Sequence, residues 1–264
     1  MSNKHRFIAE WEPQSAVMIA WPHKDTDWAY MLNEVEECYI NVAKAILRYE
    51  NLIIHTCDAE HVKALLGDNH KHKIIFLDIL TNDTWCRDLG GITIETDSGN
   101  AVCDFKFNAW GGKFNWNLDN QVTSKMKQLG VFDCQIIDCN NFILEGGSIE
   151  TDGKGTLLVT SQCLLTPTRN PHMNKEQIEE YLKATLGVQK VLWLDFGAFA
   201  GDDTDSHIDT LARIAPNNSI IYAGCDDKND EHYIELSKME KQLATFSTAN
   251  NEPYKLYKLP AFFI

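Results

Sequence analysis

The chain has 264 residues, with 24 lysines and arginines against 38 aspartates and glutamates, which gives a formal charge of −14. Its 44% hydrophobic and 23% charged residues are ordinary for a globular protein and exclude a disordered chain. The acidic balance argues against nucleic acids and anionic membranes as partners, because a field of this sign repels phosphates, and it favours a small cation.

Sequence features favour a cytoplasmic protein. Residues 1–10 carry charges and no apolar core, unlike a signal peptide. The uncharged segment 16–21 is far shorter than the roughly 20 residues that span a bilayer. Eight cysteines are spread along the chain without CxxC pairs, which favours reduced thiols in the cytosol and argues against a zinc site built from cysteines.

The amino-terminal third alternates predicted strands with predicted helices. Alternating and helical hydrophobic periodicities predict strands over 16–21, 52–56 and 73–78, with helices over 27–49 and 59–66. Gly67 directly follows the second helix and is a typical helix terminator. This part therefore reads as an α/β unit.

From residue 85 onwards, a pattern of strand, strand, helix and strand occurs three times at a period of about 60 residues. The predicted strands are 85–95, 101–107, 134–138, 142–150, 155–160, 190–194, 207–214, 219–223 and 254–259, and the predicted helices are 118–129, 174–186 and 231–245. Because each module leaves a sheet face that it cannot bury alone, we expect one domain over 1–264 whose modules close into a propeller-like α/β array.

Polar residues fall inside the predicted first strand of each repeat, namely Asp88, Glu145 and the pair His207 and Asp209. If the modules surround an axis, these positions converge on a central cavity, and strand alternation places His207 and Asp209 on one face. Three carboxylates suit a planar guanidinium, whose donors match bidentate carboxylates. Nearby acids favour the charged form of His207, which can act as a general acid and base.

Each of these residues also has a less specific interpretation. Asp88 could form a surface ion pair, Glu145 could border a bulge, and His207 could be structural. The acidic segment 202–209 could be a solvated loop or hold a divalent cation. Trp85 could be a core residue or pack against a cation. Their joint placement in successive repeats favours the functional interpretation.

Short motifs spread along the whole chain carry a family resemblance. They are AEWEP (9–13), WPH (21–23), WCRD (85–88), LEGGSIE (144–150), DGKGTLL (152–158), TRNPH (168–172) and DTDSHID (203–209). Together they resemble the agmatine deiminase family, which is related to bacterial peptidylarginine deiminases within the guanidino-group-modifying superfamily. The resemblance implies a pentein-type α/β propeller with five-fold pseudosymmetry.

The resemblance also implies hydrolysis of agmatine to N-carbamoylputrescine and ammonia, a step toward putrescine, with a cysteine thiolate attacking the guanidinium carbon. By motif, Asp88 and Asp209 would clamp the guanidinium, His207 would be the general acid and base, and Glu145 would bind substrate and orient His207. Trp85 joins the substrate-binding residues. The resemblance implies a small cationic guanidinium substrate and a homodimer. It implies no metal and no organic cofactor.

Two features depart from the family pattern. Ser206 stands where the family usually has glycine. The family nucleophile belongs to a carboxy-terminal Gly-Gly-Gly-x-x-His-Cys-type motif in a fifth module, and none of the eight cysteines lies in such a context. The segment 259–264 is apolar and unlike the family. We therefore expect a chain truncated at its carboxy terminus, without the nucleophile or a complete fifth module, and with exposed strand edges.

Two other functions stay open. A deiminase of peptidyl or free arginine would use the same clamp, although those substrates carry a carboxylate or a backbone near the guanidinium, which an acidic pocket disfavours. A guanidine-binding remnant that folds without turnover is the non-enzymatic alternative.

Overall fold

The computed structural model describes residues 5–260, whose strands form four separate sheets. The strands are β1 (Arg6–Phe7), β2 (Val17–Ala20), β3 (Leu52–His55), β4 (Ile74–Leu77), β5 (Ile92–Thr96), β6 (Gly99–Lys106), β7 (Gln135–Ile143), β8 (Ile149–Thr151), β9 (Thr156–Thr160), β10 (Lys190–Leu194), β11 (Ala212–Ala215), β12 (Ser219–Gly224) and β13 (Lys255–Pro260). The helices are α1 (Leu32–Ile46), α2 (Ala59–Leu66), α3 (Cys86–Leu89), α4 (Ala109–Gly112), α5 (Val122–Gln128), α6 (Ser161–Leu164), α7 (Lys175–Leu186), α8 (Ile208–Leu211) and α9 (Tyr233–Leu243). Single 3-10 turns cover Asp27–Met31, Asp119–Gln121 and Gly146–Ser148.

Three of the sheets share one connectivity. In each, an antiparallel hairpin is followed by a helix and by a strand that pairs parallel with the second strand of the hairpin. The hairpins are β5–β6, β8–β9 and β11–β12, and the returning strands are β7, β10 and β13. The predicted order of strand, strand, helix and strand is thus present in all three copies. The closing of the modules into a propeller stays a prediction.

The amino-terminal sheet differs because it is parallel throughout. β3 lies between β2 and β4, with α1 and α2 in the two crossovers. The helix predicted over 27–49 divides into the Asp27–Met31 turn and α1, whereas 59–66 matches α2 in full.

The prediction for the first strand of each repeat is wrong in its amino-terminal half. The segments 85–95, 142–150 and 207–214 contain α3, the Gly146–Ser148 turn and α8, and the hairpin strand begins only after that turn. Backbone hydrogen bonds within these turns, such as Ser148 N to Glu145 O at 3.1 Å, replace the bonds of a β-ladder. The polar residues of these segments therefore lie on turns, and His207 and Asp209 do not alternate along a strand.

Apolar faces of the helices pack on the sheets and form the cores. α7 buries Ile178, Leu182 and Leu186, which recur every four residues and join the same cluster as Leu157 and Val159 of β9. A capping box at Asn174 begins this helix, and Gly187, with a φ of 73°, ends it in the left-handed region. Both boundaries agree with the sequence-based prediction.

In the part of the chain from 5 to 260, no helix has the length and apolar character that crossing a membrane requires. Of the segments discussed from sequence, 1–4 and 261–264 lie outside the described residues, so the apolar segment 259–264 is described only at Leu259 and Pro260.

Candidate active site

Three short turns bring the predicted site residues together. Asp88 lies in α3, Glu145 immediately precedes the Gly146–Ser148 turn, and His207 and Asp209 lie at the start of α8. α3 and α8 both pack on the Gly146–Ser148 turn. Residues from three successive repeats therefore meet at one place, although they do so on turns and not on strands.

Gly147 lies at the centre of this cluster. Its backbone N donates to Asp88 Oδ1 at 2.8 Å. A Cβ atom on Gly147 would lie 2.6 Å from both Asp88 Oδ1 and His207 Nδ1 and 2.8 Å from Asp209 Oδ2. The absence of a side chain thus leaves a small volume that two carboxylates and an imidazole face.

Asp88 is held firmly at the edge of this volume. Its carboxylate accepts hydrogen bonds from Gly147 N and from Trp110 Nε1, the second at 3.1 Å. Burial, together with a smaller contribution from the nearby Asp209 carboxylate, raises the pKa of Asp88 to about 7. Burial also raises the pKa of Asp209. Two desolvated carboxylates side by side favour a cation between them.

His207 is 1% exposed, and burial, followed by the charge of Arg169, lowers its pKa to about 3. The expectation that the surrounding acids favour the charged imidazole is therefore wrong, because the cost of desolvation outweighs their attraction. The ring is neutral at physiological pH in the free protein. Its Nδ1 lies 3.5 Å from Asp88 Oδ1, and its Nε2 is buried without a hydrogen bond.

A buried arginine connects Glu145 to the loop that precedes His207. Arg169 Nε donates to Glu145 Oε1 at 3.1 Å, and Nη2 donates to Thr204 O at 2.9 Å. Nη1 forms a short ion pair with Asp205. The side chains of Glu145 and Arg169 are both fully buried. Sequence reasoning included Arg169 in a family motif and assigned it no role, since only the tertiary structure reveals its burial.

The loop before His207 contains two consecutive left-handed residues, Asp205 with a φ of 64° and Ser206 with a φ of 63°. Ser206 N donates to Asp202 Oδ2 at 2.6 Å, and Ser206 O accepts from Thr160 Oγ1 at 2.7 Å. Ser206 therefore has a left-handed backbone conformation that the glycine usual in the family would adopt more easily.

Trp85 is 46% exposed and is not a core residue. Its indole lies edge-on to Trp110, with ring centroids 6.4 Å apart, and its Nε1 donates to Asp83 Oδ2 at 3.0 Å. Trp110, which sequence reasoning missed, is the aromatic residue that bonds to Asp88. It has a φ of 54°, and the two glycines that follow it were the local sign of an unusual turn.

Among the described residues, Cys163 is the thiol that lies next to this cluster. Its Sγ lies within 4.8 Å of a Glu145 carboxylate oxygen and a His207 ring nitrogen. Burial raises the pKa of the Cys163 thiol, which keeps it protonated and makes it a poor nucleophile.

A sequence profile of the Porphyromonas-type peptidyl-arginine deiminase family matches residues 6–262. The chain belongs to this family. The family predicted from sequence is confirmed, and membership places the chain among hydrolases that act on C–N bonds.

Several members of known structure or name resemble the chain along most of its length. The agmatine deiminase of Medicago truncatula is 34% identical, with 95% of this chain and 70% of that protein covered. A cysteine-to-serine variant of C. jejuni agmatine deiminase, solved with substrate bound, is 38% identical, with a TM-score of 0.88 over 98% of this chain and 74% of that chain. A P. gingivalis structure assigned as an arginine deiminase is 45% identical, with a TM-score of 0.92 over 97% of this chain and 76% of that chain. The family members of known structure share the mixed α/β fold.

We expect Ser206→Gly to raise the free energy of unfolding by about 0.5–1 kcal/mol. Glycine avoids the steric penalty of left-handed backbone, although its greater conformational entropy in the unfolded chain offsets part of this stabilisation. Asp205→Gly is the matched control, since it has nearly the same φ but removes the partner of Arg169 and Lys113, and it should lower stability. Urea unfolding of both variants measures the difference. A less stable Ser206→Gly protein would contradict this prediction.

Gly147→Ala should abolish agmatine binding while the protein stays folded. The new Cβ would displace the ends of three side chains, which can move without unfolding the backbone but then no longer face one volume. Calorimetry with agmatine measures the loss. Gly67→Ala, at the end of α2, is the control, because it adds left-handed strain at a φ of 75° and meets no atom within 4 Å. Binding to Gly147→Ala with wild-type affinity would show that the ligand lies elsewhere.

Proposed function

We propose that this protein binds agmatine for deimination, the reaction that yields N-carbamoylputrescine and ammonia on the route to putrescine. The supporting observation is the small volume at Gly147, which Asp88, His207 and Asp209 face together. A planar guanidinium offers five N–H donors in a fork that matches carboxylates, and its charge offsets the desolvation of both aspartates. The names of relatives such as the M. truncatula enzyme agree with this substrate.

In the proposed reaction, Asp88 and Asp209 clamp the guanidinium nitrogens and fix the position of the central carbon. A cysteine thiol gives its proton to His207, and the thiolate attacks that carbon. The carbon–nitrogen bond then breaks as His207 returns the proton to the leaving nitrogen. Ammonia departs, and an S-alkylthiouronium intermediate stays bonded to the cysteine. Water then attacks the carbon of this intermediate and gives one proton to His207. The carbon–sulfur bond breaks as the carbonyl forms, His207 returns its proton to sulfur, and the second water proton leaves with the ammonia, which releases the ureido product.

The neutral state of His207 suits the proposed first step, because the ring must accept a proton. Glu145 supports that role in the proposal, since a carboxylate oxygen lies within 4.8 Å of a His207 ring nitrogen and can stabilise the transient imidazolium. Arg169 holds this carboxylate in place at 3.1 Å. Trp85 borders the site through Trp110 and completes the proposed substrate-binding residues.

We further propose that none of the eight cysteines is the attacking thiol. Cys163 is buried and protonated, and no other described cysteine groups with Glu145 and His207. The proposed role of these 264 residues is then capture and orientation of the guanidinium, with turnover requiring a thiolate from elsewhere. The single pentein-type propeller domain, the homodimer and the cytoplasmic location belong to the same proposal.

Calorimetry and product analysis on this chain test the proposal. Agmatine should bind to the wild type and bind much more weakly to Asp209→Asn, while mass spectrometry detects no N-carbamoylputrescine. The absence of agmatine binding would overturn the proposed substrate. Product formation that Cys163→Ser abolishes would identify Cys163 as the nucleophile and contradict that part of the proposal.

Free or peptidyl arginine is the second candidate substrate, favoured by the 45% identity to the P. gingivalis structure. A cavity of about 400 Å³ beside Trp110 argues for agmatine instead, because its lining includes Asp25, Asp27, Asp83 and Asp119 against the single cation Lys113. An ammonium group is favoured there, and a carboxylate is disfavoured. Tighter binding of an arginine peptide than of agmatine in the same calorimeter would reverse the assignment.

Agmatine affinity should rise between pH 6 and pH 8. Below its pKa of about 7, the Asp88 carboxyl is protonated in the free protein, so binding must first remove that proton, and affinity falls by up to about tenfold per pH unit. His207, with a pKa of about 3, does not titrate in this range. Calorimetry at pH 6, 7 and 8 measures the slope. Asp88→Asn should bind weakly with a flatter profile, and a flat wild-type profile would contradict the prediction.

A further inference from the structure

A buried thiol lies beside His207 and has no part in the proposed reaction. Cys163 is 0% exposed and lies in α6, directly after β9. Its Sγ, one carboxylate oxygen of Glu145 and one ring nitrogen of His207 all lie within 4.8 Å of one another. A thiol, an imidazole and a carboxylate are the three donor types that bind zinc in proteins.

His207 and Glu145 each keep a position at which another ligand can bind. His207 Nε2 is buried without a hydrogen bond, which is costly for a polar atom inside a protein. Its Nδ1 faces Asp88, so Nε2 is the nitrogen left for another ligand. Glu145 is bound by Arg169, but a carboxylate has about four acceptor positions and can still bind an ion.

The backbone holds the thiol and the imidazole in a common frame. Cys163 N donates to Thr160 Oγ1 at 3.2 Å, and the same hydroxyl donates to Ser206 O at 2.7 Å. Thr160 therefore joins the turn that carries Cys163 to the residue before His207. Donors around a tetrahedral zinc ion lie about 3.3–3.8 Å apart, so the three groups need to approach each other by only about 1 Å.

We propose that Cys163, His207 and Glu145 form a binding site for one zinc-like divalent cation, which binds His207 through Nε2. Binding forms sulfur, nitrogen and oxygen bonds to the ion, the thiol proton goes to solvent, and water completes the tetrahedron. Sulfur and nitrogen donors select zinc or cobalt over magnesium and calcium.

The inference does not depend on the proposed reaction, because metal binding is measured directly on this chain. Titration of the reduced protein with Co²⁺, without oxygen, should give one tight equivalent and a sulfur-to-cobalt charge-transfer band that Zn²⁺ displaces. Cys163→Ser should lose the band and bind Co²⁺ at least about tenfold more weakly. Cys139→Ser, which changes a buried thiol of β7, should keep both. A band that survives Cys163→Ser would overturn the site.

X-ray absorption at the zinc edge of the wild-type chain tests the same site without a variant. The spectrum of the one-to-one complex should contain one sulfur at about 2.3 Å and nitrogen or oxygen neighbours at about 2.0 Å. A first coordination sphere without sulfur, or with several sulfurs, would contradict the assignment. Failure of the chain to retain one zinc ion against a micromolar chelator would also overturn it.

Discussion

The buried guanidinium of Arg169 is the interaction on which the arrangement of the site depends. It connects the carboxylate of Glu145, which follows β7, to Thr204 and Asp205 in the loop before α8. Such a pair is not primarily a source of stability, because its attraction must offset the desolvation of both charges. Loss of one partner alone costs about 3–5 kcal/mol, since the other charge stays buried and unpaired. Arg169 therefore specifies where two repeats meet.

The same desolvation sets the chemical state of the neighbouring groups. Burial is the largest influence on Asp88 and on His207, and it disfavours the charged form of each. Near pH 7, the Asp88 carboxyl is thus about half protonated and the His207 imidazole is uncharged. A bound guanidinium reverses this balance for the carboxyl, because its charge makes the ionised aspartate favourable. Under the proposed function, binding of the substrate cation would therefore also ionise Asp88.

Residues with left-handed backbone conformations lie next to the site. Asp205 and Ser206 precede His207 with positive φ, and Trp110 reaches Asp88 from a left-handed turn of its own. Such conformations cost about 1–3 kcal/mol each and persist only where the surroundings hold them. Here Arg169 and Asp202 provide the contacts that hold the loop. The cost is localised next to the residues with proposed chemical roles.

Local patterns in the sequence were sufficient for α7, with its cap at Asn174, for β10 over 190–194, and for the order of elements in three repeats. They also identified Asp88, Glu145, His207 and Asp209 as a set. They wrongly predicted strands at the turns that carry these residues. In a single sequence, a polar residue just before a strand cannot be distinguished by its pattern from a polar residue inside the strand.

The roles of Arg169, Gly147 and Cys163 emerged only from the tertiary structure. Glu145 and Arg169 are 24 residues apart, and Arg169 and Asp205 are 36 apart, so no local spacing relates them. Burial, which sets the pKa of Asp88 and of His207, is likewise a property of the packed chain. The sequence by itself determined which residue types are available and in which repeats they occur. Packing decided which of them lose water and which atoms face one another, because both depend on contacts between distant segments.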